Sequence, residues 1–235
     1  MKLGIMQPYF FPYIGYFQLI KSVDRFILFD DVQYIRHGWV NRNRILKPDE
    51  DWQFIIAPLQ KHKQTELIKD IKLHEENDWK EKIIRQIEHY KKKAKYYNET
   101  IQLLNNCFDI TETSIAKFNA RSIQIICEHL QIPFKVEISS EMNFNYTNVK
   151  DAGEWALRIC EQMNARQYIN PEGGKELFNP DKFKNSNIKF SLISAVLVPY
   201  NQKRNNFEPG LSIIDVLMFN GLEQTKQMIS KFEVT

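Results

Sequence analysis

The chain has 235 residues, of which 43% are hydrophobic and 26% are charged, and its formal net charge is +3 at pH 7. These values suit one folded domain, or one domain with a sizeable insertion, and they exclude a largely disordered chain. The mild positive charge suits a small anionic ligand but is too weak to indicate nucleic-acid binding, and no stretch has the ~20 consecutive apolar residues of a membrane span.

The hydrophobic pattern predicts strands that alternate with helices. The predicted strands are residues 2–6, 25–29, 52–57, 134–138, 167–170 and 194–198, with 188–192 as a weaker candidate. The predicted helices are residues 14–22, 78–97, 114–130, 151–163, 212–220 and 223–231. This alternation favours an α/β fold with a mostly parallel, Rossmann-like sheet covered by helices. We expect a single domain over residues 1–235 that carries a helical insertion or cap at residues 75–130.

The first predicted strand runs into a turn rich in proline and aromatic residues, Gln7-Pro8-Tyr9-Phe10-Phe11-Pro12-Tyr13. Nucleotidylyltransferases carry a histidine-containing motif at this position, and the N-terminus of the helix that follows binds phosphate. Here Tyr13-Ile14-Gly15-Tyr16 occupies the place without the histidines, and tyrosine carries no positive charge at neutral pH. The opening is therefore nucleotidylyltransferase-like, whereas adenylyl transfer is not expected, and a tight turn of packed aromatic rings is the alternative.

Two carboxylates, Asp30 and Asp31, stand at the end of the second predicted strand. Adjacent strand residues point to opposite faces, so one of the two is expected to enter a pocket, as a general base or as a clamp on sugar hydroxyls or an amine. His37 has the chemistry for proton transfer near neutral pH, although a lone histidine is more often a surface residue.

The segment that follows adds groups suited to ligand recognition. Arg42 and Arg44 could hold a phosphate through bidentate contacts. Asn41 and Asn43 suit the recognition of hydroxyl or amide groups, and Trp39 could stack on a ring or close the loop over the core.

Two later loops also follow predicted strands. Asn170 ends one strand, Gly173 frees the backbone beyond it to approach a ligand, and Lys175 could then meet a phosphate. The full spacing of a phosphate loop is missing, so a glycine-rich turn before a short helix is the alternative. Tyr200 and Gln202 follow the last predicted strand in the same manner.

The three cysteines, Cys107, Cys127 and Cys160, are far apart and odd in number. This favours reduced core thiols over a disulfide framework or a zinc site. The N-terminus runs straight into strand-like sequence without the pattern of a secretory signal. We therefore expect buried, unpaired thiols in a cytoplasmic protein.

Together these segments resemble the WbqC-like protein family, over nearly the whole chain. The motifs that carry the resemblance are Gln7-Pro8-Tyr9, Pro12, Gly15-Tyr16-Phe17, Asp30-Asp31-Val32-Gln33-Tyr34, Trp39, Asn41-Arg42-Asn43, Asn170-Pro171, Gly173-Gly174, Tyr200, Gln202 and Leu211-Ser212-Ile213-Ile214-Asp215. The resemblance implies a setting in bacterial O-antigen and other surface-polysaccharide pathways, alongside sugar aminotransferases and acyl-transfer proteins. It implies no settled catalytic residues.

In that setting we expect an enzyme that N-acylates a nucleotide-linked amino sugar. The expected catalytic residues are Asp30, Asp31, His37 and Asn41, and the expected substrate-binding residues are Gln7, Tyr9, Tyr16, Gln33, Trp39, Arg42, Asn43, Asn170, Gly173, Lys175, Tyr200 and Gln202. An acyl thioester, from acyl-coenzyme A or an acyl carrier protein, is the expected co-substrate, a homodimer is the candidate assembly, and no metal is expected. The alternatives are a degenerate nucleotidylyltransferase-like enzyme that uses ATP and a non-catalytic sugar-binding protein of the assembly machinery.

Overall fold

The computed structural model describes residues 1–74 and 78–235 and has an α/β architecture. Within these residues the strands are β1 (Lys2–Met6), β2 (Arg25–Leu28), β3 (Arg42–Leu46), β4 (Trp52–Ile56), β5 (Gln167–Pro171), β6 (Lys189–Ala195) and β7 (Phe232–Val234). The α-helices are α1 (Ile14–Ser22), α2 (Trp79–Ile87), α3 (Tyr97–Phe108), α4 (Ile115–His129), α5 (Glu154–Gln162), α6 (Pro180–Asn185) and α7 (Ile213–Ile229). Short 3-10 turns lie at Ile68–Asp70, Glu88–Lys92, Ser139–Glu141 and Glu172–Leu177.

The central sheet has the strand order β2-β1-β5-β6-β7, and β3 and β4 form a separate antiparallel hairpin. Strands β2, β1, β5 and β6 run parallel, whereas β7 is antiparallel to β6. The mostly parallel, Rossmann-like sheet predicted from the sequence is thus confirmed. The strand order reverses between β1 and β5, and ligands of open α/β sheets bind in the crevice outside the carboxyl ends of the strands at such a point.

Both faces of the sheet are covered because side chains alternate along each strand. Leu3 and Ile5 of β1 belong to a core cluster that they share with α5 and α6. Met6 packs against the larger cluster on the other face, which includes residues of α1 and α7. Among the described residues, none of the helices combines the length and the apolar character needed to cross a membrane.

The helical region differs from its prediction as one long helix over residues 78–97. Helix α2 ends at Ile87, a 3-10 turn follows, and a separate helix, α3, begins at Tyr97. The chain bends because Tyr90 turns inward: its ring is buried, and its hydroxyl donates to Asp215 (2.6 Å) and accepts from the backbone N–H of Leu46 (2.8 Å). The predicted start of this insertion, residues 75–77, lies outside the described residues, and its division from the rest of the domain stays a prediction.

Three further predictions about the strands and loops needed correction. Residues 42–46, expected as a polar binding loop, form β3, whose inward positions include an asparagine, Asn43, instead of an apolar residue. The strand predicted at residues 194–198 is wrong in place, because β6 is Lys189–Ala195 and residues 196–198 are irregular. The weaker prediction at residues 188–192 is the correct one. Residues 134–138 pair with β2 through a single bridge between Leu28 and Ile138 and do not form a strand of their own.

Candidate functional site

The turn that follows β1 is held in shape by buried polar side chains. The Nδ2 of Asn119, a fully buried residue of α4, donates to the carbonyl of Pro8 at 2.8 Å. The Nδ2 of Asn43 donates to the carbonyls of Phe10 and Phe11, at 3.0 and 2.9 Å. A buried carbonyl without a donor costs about 1–3 kcal/mol, so these amides fix the path of the turn. Asn43, expected to contact substrate, is occupied in this way and only 3% exposed.

Three side chains on the outer side of this turn keep free polar groups. Among the described residues, the Gln7 amide and the hydroxyls of Tyr9 and Tyr13 have no hydrogen-bond partner, and all three residues are half-buried. Burial raises the pKa of both tyrosines, so the two hydroxyls remain protonated donors at neutral pH. They follow β1 directly and therefore stand at the point where the strand order reverses.

The ring of Tyr13 packs against the first turn of α1. A Cβ atom on Gly15 would lie 2.4 Å from Cε2 of Tyr13, which shows how closely the ring sits on the first turn of the helix. The ring therefore leaves no room for a side chain at Gly15. Tyr16, in the same turn of helix, is 2% exposed and its hydroxyl donates to the carbonyl of Gln7 at 2.9 Å, so it has no face to offer a ligand.

Asp30 is the inward carboxylate at the end of β2. It is 2% exposed and accepts hydrogen bonds from the hydroxyls of Ser139 (2.9 Å) and Ser140 (2.7 Å) and from the Ser140 N–H (3.0 Å). Burial raises the pKa of this carboxyl, while the hydrogen bonds from the two serines partly oppose the rise. Asp30 therefore links residues 139–140 to the end of β2.

Asp31 lies closer to the surface and has two different partners. The ammonium of Lys69 donates to Oδ1 at 2.9 Å, and the hydroxyl of Tyr146 donates to Oδ2 at 3.1 Å. Each carboxylate oxygen therefore keeps one lone pair for a further donor. Burial, together with Asp31, raises the pKa of the Tyr146 phenol, so this hydroxyl stays a donor.

In the loop before β3, side chains that were predicted to bind a ligand form hydrogen bonds within the protein. The guanidinium of Arg42 donates to the carbonyls of His37 and Gly38 and lies 4.1 Å from the ring centre of Phe54. Asn41 accepts from a buried tyrosine, Tyr34, at 2.8 Å and its Nδ2 donates to the carbonyl of residue 57 at 3.0 Å. The ligand-binding roles of Arg42 and Asn41 stay predictions, since both side chains already have protein partners.

The remaining predicted residues are spread over several environments. His37 is exposed with a positive φ of 63°, and Trp39 is 37% exposed. The exposed Gln33 donates to the carbonyl of Gln64 at 2.8 Å, which joins two loops. Gly173 has no atom within 4 Å of where a Cβ would stand.

The turn after β5 is closed by Asn170. Its Oδ1 accepts from the Tyr168 hydroxyl at 2.9 Å, its Nδ2 donates to the carbonyl of Pro171 at 2.7 Å, and a Cβ on Gly174 would lie 2.7 Å from that nitrogen. Lys175 is exposed beyond this turn and borders a groove of about 330 Å³. The turn therefore brings Lys175, but not the Asn170 amide, to the surface.

Tyr200 and Gln202 surround a buried carboxylate instead of a pocket. Both donate to Oδ1 of Asp215, whose Oδ2 accepts from Tyr90. Asp215 is fully buried, and burial raises its pKa to about 6. This cluster joins α7, the helical region and the long loop after β6.

Several groups near Asp31 were missed in the sequence. They are Lys69, Ser139, Ser140, Tyr146 and Trp155. The strand predicted at residues 134–138 could have pointed to Ser139 and Ser140, because residues that follow a strand reach the carboxyl edge of the sheet. Within residues 1–74 and 78–235, no three His, Cys, Asp or Glu side chains come together in a way that could hold a metal ion.

Comparison with known proteins gives one family and one broadly matching relative. A model of the WbqC-like protein family matches residues 7–227, a range that includes every candidate site residue. The uncharacterized protein Rv1507c of Mycobacterium tuberculosis is 29% identical over 225 residues, which covers 94% of this chain and 95% of that protein. No solved structure is significantly similar.

Proposed function

The chain belongs to the WbqC-like protein family, and from that premise we propose that it is a cytoplasmic enzyme of bacterial O-antigen or related surface-polysaccharide biosynthesis. Its proposed reaction is transfer of an acyl group to the amine of a nucleotide-linked amino sugar. The setting comes from the family resemblance, and the reaction comes from the groups that converge at the carboxyl edge of the sheet.

The observation that carries the proposal is the meeting of two strand ends beside the point where the strand order reverses. The N–H of Phe29, after β2, donates to the carbonyl of Met6, at the end of β1, at 2.7 Å. This contact brings the segment with Asp31 alongside the segment with Gln7 and Tyr9. The buried carboxylates of Asp30 and Asp31 and the free groups of Gln7 and Tyr9 therefore follow neighbouring strand ends. Open α/β sheets bind their ligands at this edge.

The chemistry of amide formation assigns roles to these groups. The substrate amine attacks the carbonyl carbon of an acyl thioester, a new N–C bond forms, and the C–S bond breaks to release the thiol. Asp31 accepts the proton that the amine loses, and the thiolate leaving group takes up a proton. We assign donation to the oxyanion to the free amide of Gln7, because the Asn41 amide is already bonded to a backbone carbonyl. Acyl-coenzyme A and an acyl carrier protein are the candidate donors.

Lys175 and Tyr9 complete the proposed substrate contacts. Lys175 follows β5 and is exposed, and we assign to it the contact with the diphosphate, as a point charge. Tyr9 offers a half-buried ring and a donor hydroxyl to a base or sugar. The ATP-using alternative is less well supported, because Tyr13-Ile14-Gly15-Tyr16 lacks the histidines of the nucleotidylyltransferase motif, and tyrosine carries no positive charge at neutral pH.

Mass spectrometry of reaction mixtures tests this proposal. We expect the wild-type protein, given nucleotide-linked amino sugars and acyl-coenzyme A, to yield a product heavier by one acyl group. Asp31→Asn should lower kcat by roughly a hundredfold or more, which starts at the lower end of what one general base contributes. The matched control Asp78→Asn changes an exposed carboxylate paired with Arg85 and should retain full activity.

Two other results would favour the alternatives. Consumption of ATP without an acyl donor would indicate the nucleotidylyltransferase-like enzyme. Binding of the nucleotide sugar with no turnover, for either acyl-coenzyme A or an acyl carrier protein, would indicate a sugar-binding protein.

A further inference from the structure

A wall of three aromatic side chains stands beside Asp31. Phe29 follows β2, Tyr146 lies in the segment after the Ser139–Glu141 turn, and Trp155 is in the first turn of α5. The ring centres of Tyr146 and Trp155 are 4.6 Å apart, and those of Phe29 and Trp155 are 5.7 Å apart. Three distant parts of the chain thus bring their rings to one place at the carboxyl edge of the sheet.

These rings differ from the packed aromatic residues of the core. Phe29, Tyr146 and Trp155 are all half-exposed, although fully buried rings are plentiful elsewhere in the protein. The indole N–H of Trp155 donates to no other described residue. Large apolar surface that is left partly open next to polar groups marks a binding surface more often than a packing defect.

The aromatic wall is joined directly to charged groups. The Tyr146 hydroxyl donates to Asp31 at 3.1 Å, and Lys69 bonds the other oxygen of that carboxylate at 2.9 Å. Asp30 lies close enough to Asp31 for the two charges to interact. Two carboxylates against one ammonium leave a net negative charge, and the next lysine, Lys117, is already paired with a glutamate, Glu141, at 3.0 Å.

An aromatic wall next to a carboxylate has the two features that an amino sugar needs. The C–H face of a pyranose packs against the flat ring of Trp or Tyr, and its polar substituents donate to a carboxylate at the edge of that ring. An excess of negative charge favours a cationic ammonium substituent over a neutral hydroxyl, because the local field acts on the charge.

We propose that Phe29, Tyr146, Trp155 and Asp31 form the sugar subsite of this protein, in which the rings hold the sugar and Asp31 recognises its amino group. This inference rests on the proposed function and adds to it where the sugar binds and why an amino sugar is preferred. The nucleotide then extends from this subsite along the crevice toward the turn after β5.

Calorimetric titration with three matched probes, UDP-glucosamine, UDP-glucose and UDP, tests the subsite. For the wild type we expect UDP-glucosamine to bind roughly tenfold more tightly than UDP-glucose, and UDP to bind most weakly. Trp155→Ala should weaken both sugar conjugates by roughly tenfold and leave the affinity for UDP unchanged. Asp31→Asn should abolish the preference for the amino sugar while the affinity for UDP-glucose is retained.

Controls keep loss of folding separate from loss of binding. Trp52→Ala removes a half-buried indole from the hairpin and should leave all three affinities unchanged. Each variant is first checked by thermal melting, and if Trp155→Ala does not fold, the milder Trp155→Phe and Tyr146→Phe replace it. Tyr146→Phe keeps the ring but loses the bond to Asp31, so it should weaken the amino-sugar preference.

The outcomes separate the two proposals. If the wild type binds UDP-glucosamine and neither the Trp155 variants nor Asp31→Asn changes the affinity or the preference, the subsite is wrong and the proposed function stands. If the wild type binds neither this probe nor a dTDP-linked 4-amino sugar, the proposed function is wrong and the subsite falls with it.

Discussion

Arg42 uses its guanidinium, a group that often binds phosphate, to hold the loop in which it lies. Its guanidinium donates to the carbonyls of His37 and Gly38 and stacks on the ring of Phe54. Each contact depends on the planar fork, which lysine lacks. The sequence predicts an anion-binding role for the same side chain, so a single substitution can decide between the two roles.

We expect Arg42→Lys to lower the free energy of unfolding by about 1 kcal/mol, because two hydrogen bonds to the loop are weakened or lost. The affinity for UDP-glucosamine should stay unchanged. Urea unfolding combined with calorimetric titration measures both quantities. A tenfold weaker affinity with unchanged stability would instead support the role predicted from the sequence.

Asp215 predicts a specific dependence of stability on pH. Burial raises its pKa to about 6 in the folded protein, against an ordinary value of 3.8, although hydrogen bonds from Tyr200 and Tyr90 oppose the rise. The folded protein therefore holds a proton on this carboxyl more tightly than the unfolded chain does between about pH 4 and 6. The contribution of this group to stability thus increases as the pH falls through that window.

The neutral variant Asp215→Asn isolates this effect from all other titrations. We expect the free energy of unfolding of the wild type, relative to that of the variant, to be larger by roughly 2 kcal/mol at about pH 4.5 than at about pH 7.5. Urea unfolding at both pH values measures the difference. A constant relative stability would show that the carboxyl keeps an ordinary pKa, and a decrease in acid would show that folding lowers its pKa; either result would contradict the prediction.

At the scale of elements, the kink in α7 depends on one glycine. Gly221 has a φ of 65° and a ψ of −169°, a conformation essentially restricted to glycine. A Cβ at this position would also lie 2.7 Å from the ring of Tyr96. The sequence predicts a break at this residue, between helices at 212–220 and 223–231, and that break is confirmed.

We expect Gly221→Ala to lower the free energy of unfolding by about 2–4 kcal/mol, through backbone strain and the clash with Tyr96. Gly173→Ala is the matched control, since no atom lies within 4 Å of its added Cβ, and its effect should stay within about 0.5 kcal/mol. Chemical denaturation of both variants measures these values. Equal effects of the two substitutions would show that the kink is not held by Gly221.

The elements that the sequence predicted well are those whose pattern is local. Strand β1 and helix α1 match their predicted bounds, because a run of apolar residues indicates the strand and a helical periodicity indicates the helix. Strand β3 was missed because its inward Asn43 is polar, and its burial depends on carbonyls of the distant turn after β1. The end of α2 was missed because Tyr90 bonds to Asp215, a partner far along the chain.

The candidate site was predictable only in part for the same physical reason. Gln7, Tyr9 and Asp31 could be proposed because each follows a predicted strand. Tyr146 and Trp155 could not, since the segment between 139 and 153 has no periodic pattern and the first turn of α5 reaches the sheet edge only in the folded chain. Rings and charges from separate segments meet there through tertiary packing.

At the scale of the whole molecule, the reactivity of the three thiols is a measure of global unfolding. Cys107, Cys127 and Cys160 are buried and unpaired, as predicted from the sequence, and burial raises the pKa of Cys107 to about 12 and those of the other two further. The thiolate is the reactive form, so a buried thiol of high pKa reacts slowly.

We expect N-ethylmaleimide to label none of the three thiols in the native protein within minutes, and all three in guanidinium chloride. Mass spectrometry of the intact protein counts the labels. Rapid labelling of one cysteine in the native state would reveal a reactive thiol, and it would reopen a covalent mechanism in which that thiol carries the acyl group.

The crystal structure of a complex with UDP-glucosamine tests the central claim most directly, which is that one crevice at the carboxyl edge of the sheet binds the substrate. We predict that the sugar lies against Trp155 and Tyr146 with its amine on Asp31, and that the diphosphate extends toward Lys175 past Gln7 and Tyr9. A ligand bound elsewhere, such as the groove between Arg25 and Phe134, with this crevice empty, would contradict the claim.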